Sequence, residues 1–334
     1  MPQTATKPLA SDFLTHFEHA LDQALKDPRH AGKEPAVLLE ACRHLSFASG
    51  AKRMRPLLVD HFGAALNLPR EARIALAITS ELIHTASLLH DDVVDEGTTR
   101  RGLPTANAQW NNSVAVLGGD LMLCIALEQL YDFPREVTFE AVTLVAEMTR
   151  AAMREVDARH DSSWGLDEWA AIAHGKTGAL LAFCGTASAR VAGRSELIER
   201  LGLCGHHLGL AFQITDDLID VVGHPIDIGK DRLADLRNRN PSYPIALARS
   251  SNADFARALE QLWQRDDLAE EDVQRFGAWI VELGCAQQTL ATVEDHLDRA
   301  MDALGEFQHG PGGEHIAQWA TQLRTQARWS LEKR

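Results

Sequence analysis

The sequence predicts an all-α protein, and three features of its 334 residues support that fold class. Apolar residues recur three and four positions apart along almost every segment, which is the spacing of one helix face. Alternating runs of β-branched and polar residues, which would indicate strands, are missing. Several central segments are apolar on every side, which is typical of helices buried in a large bundle.

The helical segments follow one another along the whole chain. In the first, Phe13, Phe17 and Leu21 fall on one face, and the second stops at Gly50, a residue that commonly ends helices. The 270–304 stretch is long enough for more than one helix. Glycine and proline indicate loops at 97–104, 224–244 and 305–313. The predicted helical segments are 12–26, 35–49, 71–95, 112–131, 136–157, 167–189, 197–222, 254–263, 270–304 and 314–331.

Composition places the chain among ordinary globular proteins, with 45% hydrophobic and 24% charged residues. No shift in composition divides it, so residues 1–334 are predicted to form a single large helical domain. The net charge of −14 argues against nucleic acid as a partner. We expect a cytoplasmic protein with reduced thiols, because the five cysteines are scattered and the N-terminus lacks an apolar signal. No uninterrupted apolar run is long enough to predict a membrane span.

Two acidic motifs of the form D-D-x-x-D end long apolar helices. The first acidic motif is Asp91, Asp92 and Asp95, and the second is Asp216, Asp217 and Asp220. On a helix, positions i and i+4 share a face, so the first and last aspartate of each motif point the same way. Facing helices would bring four carboxylates to the mouth of one cavity. Oxygen-only ligands select hard cations, so the motifs predict Mg²⁺, with Mn²⁺ as the alternative.

Basic side chains accompany the acidic motifs. Guanidinium groups match phosphate oxygens, and lysines supply point charge. Each basic residue by itself could be a solvated surface charge, and His84 by itself could be a core histidine. Together with bound metal and an apolar cavity they predict a diphosphate joined to a hydrocarbon as the ligand. The basic residues concerned are Lys52, Arg53, Arg55, Arg100, Arg101, Lys176 and Lys230.

Four further motifs connect these residues to a known family. They are K-R-M-R-P at 52–56, I-H-T-A-S at 83–87, G-K-T at 175–177 and F-Q-x-x-D-D at 212–217. With both acidic motifs, the sequence resembles the trans-isoprenyl diphosphate synthases, the polyprenyl synthetase family, over residues 50–244. The resemblance implies an isoprenoid synthase-type helical bundle with a central apolar cavity, and a homodimer. It implies a transferase that condenses isopentenyl diphosphate head-to-tail with an allylic prenyl diphosphate.

The resemblance also assigns roles to residues. Asp91, Asp95, Asp216 and Asp220 are expected to hold two or three Mg²⁺ ions. Asp92, Asp217 and Lys176 are expected to complete the catalytic set. The isopentenyl diphosphate site is expected to use Lys52, Arg55, His84 and Arg101. The allylic diphosphate site is expected to use Arg100, Lys176, Thr177, Gln213 and Lys230.

Product length is expected to depend on the residues just before Asp91. Ala86 and Ser87 are small where shorter-chain relatives carry large aromatic residues. The string through the first acidic motif most resembles long-chain, octaprenyl-type synthases, so a product of C30 to C50 is expected. A C20 product is the alternative. Because the product is a lipid, at most transient contact of the enzyme with a membrane is expected.

The chain departs from the family pattern after the second acidic motif. Asn240 stands where relatives usually have lysine, and Arg239 stands where they have glycine. A non-catalytic subunit of a heteromeric synthase is therefore an alternative. A short-chain synthase, farnesyl or geranylgeranyl, is a second alternative that concerns product length. A helical metal phosphohydrolase is suggested by His90-Asp91 but needs more histidine ligands, and His84 and His90 point to different helix faces. A terpene cyclase would carry an N-S-E-type second motif instead.

Overall fold

The computed structural model describes residues 9–26, 35–160, 164–223, 232–265 and 267–332, and it confirms the all-α prediction. Short 3₁₀ turns at Ser195–Leu197 and Gly305–His309 join some of the helices. A π-helical turn, His174–Gly178, lies between two of them. The helices are α1 Leu9–Leu25, α2 Ala36–Ser46, α3 Met54–Ala65, α4 Arg70–Val94, α5 Ala106–Gln109, α6 Asn112–Glu128, α7 Arg135–His160, α8 Leu166–Ala173, α9 Ala179–Val191, α10 Ile198–Val222, α11 Ala234–Asn238, α12 Tyr243–Ser251, α13 Ala253–Trp263, α14 Glu270–Glu282, α15 Cys285–Leu304 and α16 Gly313–Glu332.

The one pair of strands in the described ranges is a minimal hairpin after the first acidic motif. Strand β1, Thr99–Arg100, pairs antiparallel with β2, Leu103–Pro104. The two residues between them, Arg101 and Gly102, both have left-handed backbone with φ of 54° and 77°. This combination is typical of a type I′ turn, whose twist matches that of the strands. The hairpin therefore replaces part of the predicted loop at 97–104.

Most helix predictions agree with the structure to within a few residues, and the exceptions have local causes. The 270–304 stretch is two helices, because Gly284 adopts left-handed backbone with φ 73° and separates α14 from α15. The predicted helix at 167–189 is interrupted by the π-helical turn. Helix α3 and most of α12 lie in segments for which the sequence predicted no element. The loop prediction at 224–244 is wrong over α11 and at the start of α12.

The chain divides into two compact units, each with its own core. The first contains the described residues of Met1–Val145, Phe183–Gly202 and His309–Gly313. Here α4 packs against α3 and α6, and buries Leu82, Ile83 and Leu89. The single-domain interpretation stays a prediction.

The second unit contains the described residues of Ala146–Ala182, Leu203–Gln308 and Glu314–Arg334. Its core includes an aromatic cluster in which Phe255 meets Phe276 and Trp279 edge-on, with ring centroids 5.5 and 5.3 Å apart. This cluster joins α13 to α14, because aromatic pairs in this geometry add to the stabilisation from buried area.

Helix α4 is long and apolar enough to cross a membrane by length and composition alone. Its most apolar stretch is 61% buried within the protein, and core helices of soluble proteins pass the same test. Asp91 and Asp92 occupy its last turn.

Candidate active site

The first acidic motif lies at the C-terminal end of α4, where the chain leaves the helix. Asp95 follows the last helical residue, and its backbone N–H donates to the carbonyl oxygen of Asp91 at 2.8 Å. Helical geometry is therefore kept through Asp95, so the two aspartates share a face as predicted. Asp91 is half-buried and Asp95 is exposed.

The middle aspartate of this motif has a different environment. Asp92 is 2% exposed, and its Oδ1 accepts a hydrogen bond of 2.7 Å from Nε of Arg100. Its Oδ2 is buried and has no hydrogen-bond partner among the described residues. Burial raises the pKa of Asp92, and the charge of Arg100 only partly opposes this rise. The Asp92–Arg100 contact joins the first acidic motif to one of the predicted basic residues, eight positions away in the sequence.

Helix α6 supports the motif through His90, which the sequence analysis set aside. The Nε2 atom of His90 lies 3.1 Å from the carbonyl oxygen of Val116 and 3.5 Å from Oδ1 of Asp120. A Cβ at Gly119 would lie only 2.3 Å from that nitrogen. A side chain at position 119 would therefore displace the imidazole where it crosses α6, and the G-G-D sequence at 118–120 was the available signal.

Arg53 belongs to the K-R-M-R-P motif, but the structure gives it a buried structural role. Its guanidinium donates to Glu18 at 2.7 and 3.0 Å, to Glu81 at 2.5 Å and to the carbonyl oxygen of Ser46 at 2.5 Å. Burial by itself would lower its pKa, yet the bonds to Glu18 and Glu81 together raise it. Because both acids neutralise it, Arg53 holds the start of α3 in place rather than offering charge to a ligand.

Arg55, His84 and Arg101 lie in one positively charged region of the first unit. Burial lowers the pKa of Arg55 and of Arg101, and the Nε of Arg55 has no hydrogen-bond partner in the described part of the chain. Burial and then the charges of Arg55 and Arg101 hold the pKa of His84 well below its usual value. His84 is therefore neutral at pH 7 and can donate one N–H to an anion. Lys52 is exposed at the start of the same segment.

The second acidic motif ends α10 and repeats the pattern of one buried middle aspartate. Asp217 is 4% exposed, and its Oδ2 accepts from Nε1 of Trp169 at 3.0 Å and from the backbone N–H of Tyr243 at 2.8 Å. Its Oδ1 accepts from Nε2 of Gln213 at 2.9 Å. Burial raises the pKa of Asp217 to about 7, although these three donors oppose the rise. The carboxyl therefore ties α8 and α12 to α10.

The outer aspartates of the second motif differ from each other. Asp216 is exposed. The carboxylate of Asp220 accepts from the backbone N–H groups of Ala234 and Asp235 at 2.9 and 3.2 Å. Asp220 thus caps the start of α11 as well as belonging to the motif. Burial raises the pKa of Asp235 well above its usual value, and the neighbouring Asp217 raises it further.

The G-K-T motif lies in the π-helical turn between α8 and α9. Thr177 donates through Oγ1 to Oε1 of Gln213 at 3.1 Å, which extends the Gln213–Asp217 contact to a third side chain. Lys176 donates to Glu155 on α7. π-Helical turns within α-helices occur frequently at functional sites, but no sequence pattern used above predicts one.

The departures from the family pattern lie just after α11. Arg239 has left-handed backbone with φ 58°, which is the conformation that glycine adopts most easily. Its Nη2 donates to the carbonyl oxygen of Arg265 at 2.5 Å, so in this structure its guanidinium is engaged with backbone. Asn240 lies beside Asp235, with its backbone N–H donating to the Asp235 carbonyl oxygen at 2.9 Å. Lys230 lies outside the described residues.

The acidic motifs fit a magnesium ion that is shared with substrate phosphates. Within the described ranges, no three His, Cys, Asp or Glu side chains are grouped to hold a metal by themselves. Mg²⁺ usually takes only one or two carboxylates and completes its shell with water and phosphate oxygens. The orphaned, buried Oδ2 of Asp92 and the shared face of Asp91 and Asp95 suit that arrangement. The prediction that both motifs line one cavity involves both units and stays a prediction.

Ala86 and Ser87, the predicted chain-length residues, precede the motif on α4. Ala86 is completely buried, and Ser87 is half-buried with its Oγ donating to the carbonyl oxygen of His84 at 2.8 Å.

Comparison with known proteins agrees with the fold and with the motifs. Residues 35–279 match the family model described as polyprenyl synthetase. The chain is 35% identical over 250 residues to the all-trans-nonaprenyl-diphosphate synthase (geranyl-diphosphate specific) of Rhodobacter capsulatus, covering 74% of each chain. It is 33% identical over 300 residues to heptaprenyl diphosphate synthase component 2 of Geobacillus stearothermophilus, covering 88% of this chain and 89% of that one.

A solved structure extends the similarity to the whole fold. The decaprenyl diphosphate synthase from Rhodobacter capsulatus superposes with a TM-score of 0.85 and 28% identity, covering 95% of this chain and 98% of that one. The isoprenoid synthase-type prediction is therefore confirmed. On the family match over residues 35–279 and the identity to these relatives, the chain belongs to the polyprenyl synthetase family.

Proposed function

We propose that the protein is a trans-polyprenyl diphosphate synthase, which joins isopentenyl diphosphate head-to-tail to an allylic prenyl diphosphate. The observation that carries the proposal is the repeated arrangement of the two acidic motifs. In each motif the middle aspartate is buried and bonded to a predicted substrate-binding residue, Arg100 for Asp92 and Gln213 for Asp217. The hydrogen bonds that hold each middle aspartate in place thus also orient Arg100 or Gln213 toward a bound diphosphate.

Two or three Mg²⁺ ions, or Mn²⁺ in their place, are the proposed cofactors. Bound Mg²⁺ would supply Lewis-acid stabilisation of the negative charge that develops on the departing diphosphate. The proposed ligands are Asp91, Asp95, Asp216 and Asp220. Because Asp220 already accepts two backbone N–H bonds, it would bind metal with its remaining lone pairs.

The basic residues have a complementary role in the proposed reaction. Isopentenyl diphosphate is bound by Lys52, Arg55, Arg101 and neutral His84. Burial strengthens the attraction of Arg55 and Arg101 for phosphate, since their charges are poorly screened by water. Burial lowers the pKa values of both guanidinium groups, so their charged forms are held there at a cost that a bound anion would offset.

The allylic diphosphate is bound by Arg100, Lys176, Thr177, Gln213 and Lys230. Lys176 is paired with Glu155 in this structure, so binding requires it to exchange or share that partner. Stabilisation of the negative charge on the departing diphosphate lets the allylic C–O bond ionise. The double bond of isopentenyl diphosphate then attacks the resulting cation. A proton then leaves to the released diphosphate, so no protein nucleophile is needed.

We propose a product of C30 to C50. Support comes from the small side chains of Ala86 and Ser87 before the first acidic motif, and from two relatives whose names specify nonaprenyl and heptaprenyl products. A chain growing along α4 would meet no large side chain at these two positions.

We also propose that the enzyme is a homodimer in the cytoplasm, with at most transient membrane contact. Large apolar side chains are exposed on α6 and on the first turns of α7 in the first unit: Val116, Leu117, Phe139 and Val142. A second copy would cover this surface. Mass measurement in solution, with Leu117→Glu as the disrupting variant, tests it; a monomeric wild type contradicts the proposal.

One assay tests the enzymatic proposal. Purified protein is incubated with Mg²⁺, isopentenyl diphosphate and allylic primers from C5 to C20, and product length is measured by chromatography. We expect C30 to C50 products that vanish when metal is chelated. Products of C15 or C20 would refute only the chain-length proposal, and activity restored by a second protein would indicate a heteromeric enzyme. No product from any primer, under conditions that support a known synthase, refutes the function.

A further inference from the structure

Four histidines form a row in the second unit, outside the residues assigned to substrate or metal. The row consists of His174, His206, His207 and His296. Nδ1 of His174 lies 3.1 Å from Nδ1 of His206, and Nδ1 of His207 lies 2.9 Å from Nδ1 of His296. In each pair one nitrogen must donate and the other accept, so at least the accepting imidazole of each pair is neutral.

The first pair contacts the π-helical turn, and the second does not. His174 is the first residue of that turn, and His206 lies on α10. Two further contacts join the same elements. A Cβ at Gly209 would lie 2.8 Å from Cα of Gly178, and Thr177 bonds to Gln213. The turn is therefore attached to α10 at its first residue, its last residue and Thr177 between them.

We propose that the His174–His206 hydrogen bond is a positioning contact, which holds the π-helical turn so that Lys176 and Thr177 are placed for the allylic diphosphate. This inference rests on the proposed function. Neither histidine touches the reacting atoms. Loss of the bond would release the beginning of the turn and let Lys176 leave its position, while the isopentenyl diphosphate residues in the first unit would be unaffected.

The surroundings of the row favour a neutral His206. Burial first, and then the charges of His174 and His207, lower its pKa to about 4. Oε2 of Glu147 lies 4.0 Å from Nε2 of His174. At the other end of the row, Asp295 and Arg299 act in opposite directions on His207 and His296. His206 is thus neutral at pH 7 and can donate or accept in its bond with His174.

The test compares two matched variants. His174→Ala removes the proposed contact, and because the side chain is partly exposed, folding should survive. His296→Ala removes an equivalent bond between two imidazoles that does not involve the turn. His206→Asn keeps an amide that can hydrogen-bond to His174. For each variant, the KM for each substrate, kcat and the hydrogen exchange of the backbone amides at 174–178 are measured.

We expect His174→Ala to raise the KM for the allylic diphosphate at least fivefold and to speed exchange at 174–178. The KM for isopentenyl diphosphate should stay within twofold, and both His206→Asn and His296→Ala should resemble wild type. Wild-type exchange and KM in His174→Ala, or equal effects in His296→Ala, overturn the inference. Should the wild type lack transferase activity, the proposed function fails, and exchange at 174–178 still decides whether the pair holds the turn.

Discussion

Gln213 donates a hydrogen bond of 2.9 Å from its Nε2 to Oδ1 of Asp217, one turn further along α10. The same amide accepts from Thr177, so a buried carboxyl, an amide and a hydroxyl form one continuous chain of contacts. Asp217 thus has a structural role, whereas its exposed neighbour Asp216 is a proposed metal ligand. The two adjacent aspartates of this motif are therefore expected to serve different purposes.

That division predicts opposite effects for two adjacent substitutions. Asp217→Ala leaves the donors of Trp169, Tyr243 and Gln213 without an acceptor, so the free energy of unfolding should fall by about 2–4 kcal/mol. Asp216→Ala should change it by less than about 0.5 kcal/mol, because the side chain is exposed, but should abolish transferase activity. Denaturant titrations and the product assay measure both quantities. Equal stability losses would contradict the assignment.

Two neighbouring glycines offer a second matched pair. A Cβ at Gly119 would lie 2.3 Å from Nε2 of His90, whereas one at Gly118 would lie 3.7 Å or more from its neighbours. Gly119→Ala should therefore displace His90 next to Asp91, costing about 1–3 kcal/mol of stability and reducing kcat. Gly118→Ala should be tolerated. The prediction fails if thermal unfolding and kcat are the same in both variants.

Stability should decrease as pH falls below neutral, because of the histidine row. Burial depresses the folded-state pKa of His206 and of His296 to about 4, while in the unfolded chain each takes up a proton near 6.5. Their contribution is therefore present above pH 6.5 and is lost as pH falls toward 4.

Because both rings are partly exposed, each slope should be below the limit of about 1.4 kcal/mol per pH unit for one proton. In His296→Asn the free energy of unfolding should fall less steeply between pH 6.5 and 4.5 than in wild type. An unchanged slope in denaturant titrations would show that His296 is protonated in the folded protein.

Product length should depend on the size of the side chains on the buried face of α4. Ala86→Phe places a large ring where the side chain is now completely buried, so products shorter than those of the wild type are expected. Ser87→Ala, at the next position, adds no bulk and should leave product length unchanged. Chromatography of both product sets, with unfolding temperatures as a check on folding, distinguishes a blocked chain from a damaged enzyme. Full-length product from Ala86→Phe would place the growing chain elsewhere.

Sequence spacing predicted α4 almost to the residue, since its apolar face and its acidic end are both local features. The roles of Asp91 and Asp216 stay predictions, but both motifs lie at helix ends as expected. Arg53 is a contrasting case. In the K-R-M-R-P motif its sequence context is equivalent to that of Arg55, yet Glu18 and Glu81 neutralise it from 35 and 28 positions away. No local pattern reveals partners brought together only by the fold.

The π-helical turn is a second feature that local patterns do not reveal. The G-K-T motif was recognisable, but its glycine and threonine are also compatible with an uninterrupted α-helix. The turn is accompanied by contacts of Thr177 with Gln213 and of His174 with His206, on a helix that begins 20 or more positions later. Tertiary contacts of this kind override the regular helical spacing.

The π-helical turn also bears on how this part of the molecule can evolve. Its hydrogen bonds span one residue more than those of an α-helix, so residues after the turn lie about 100° further around the helix axis than in an uninterrupted α-helix. A point substitution alters a side chain without altering this rotational position. The gain or loss of one residue between positions 174 and 178 would shift it, and the residues that follow would then face different neighbours. Relatives that keep G-K-T should therefore keep the spacing of this segment, even where most of its side chains have changed.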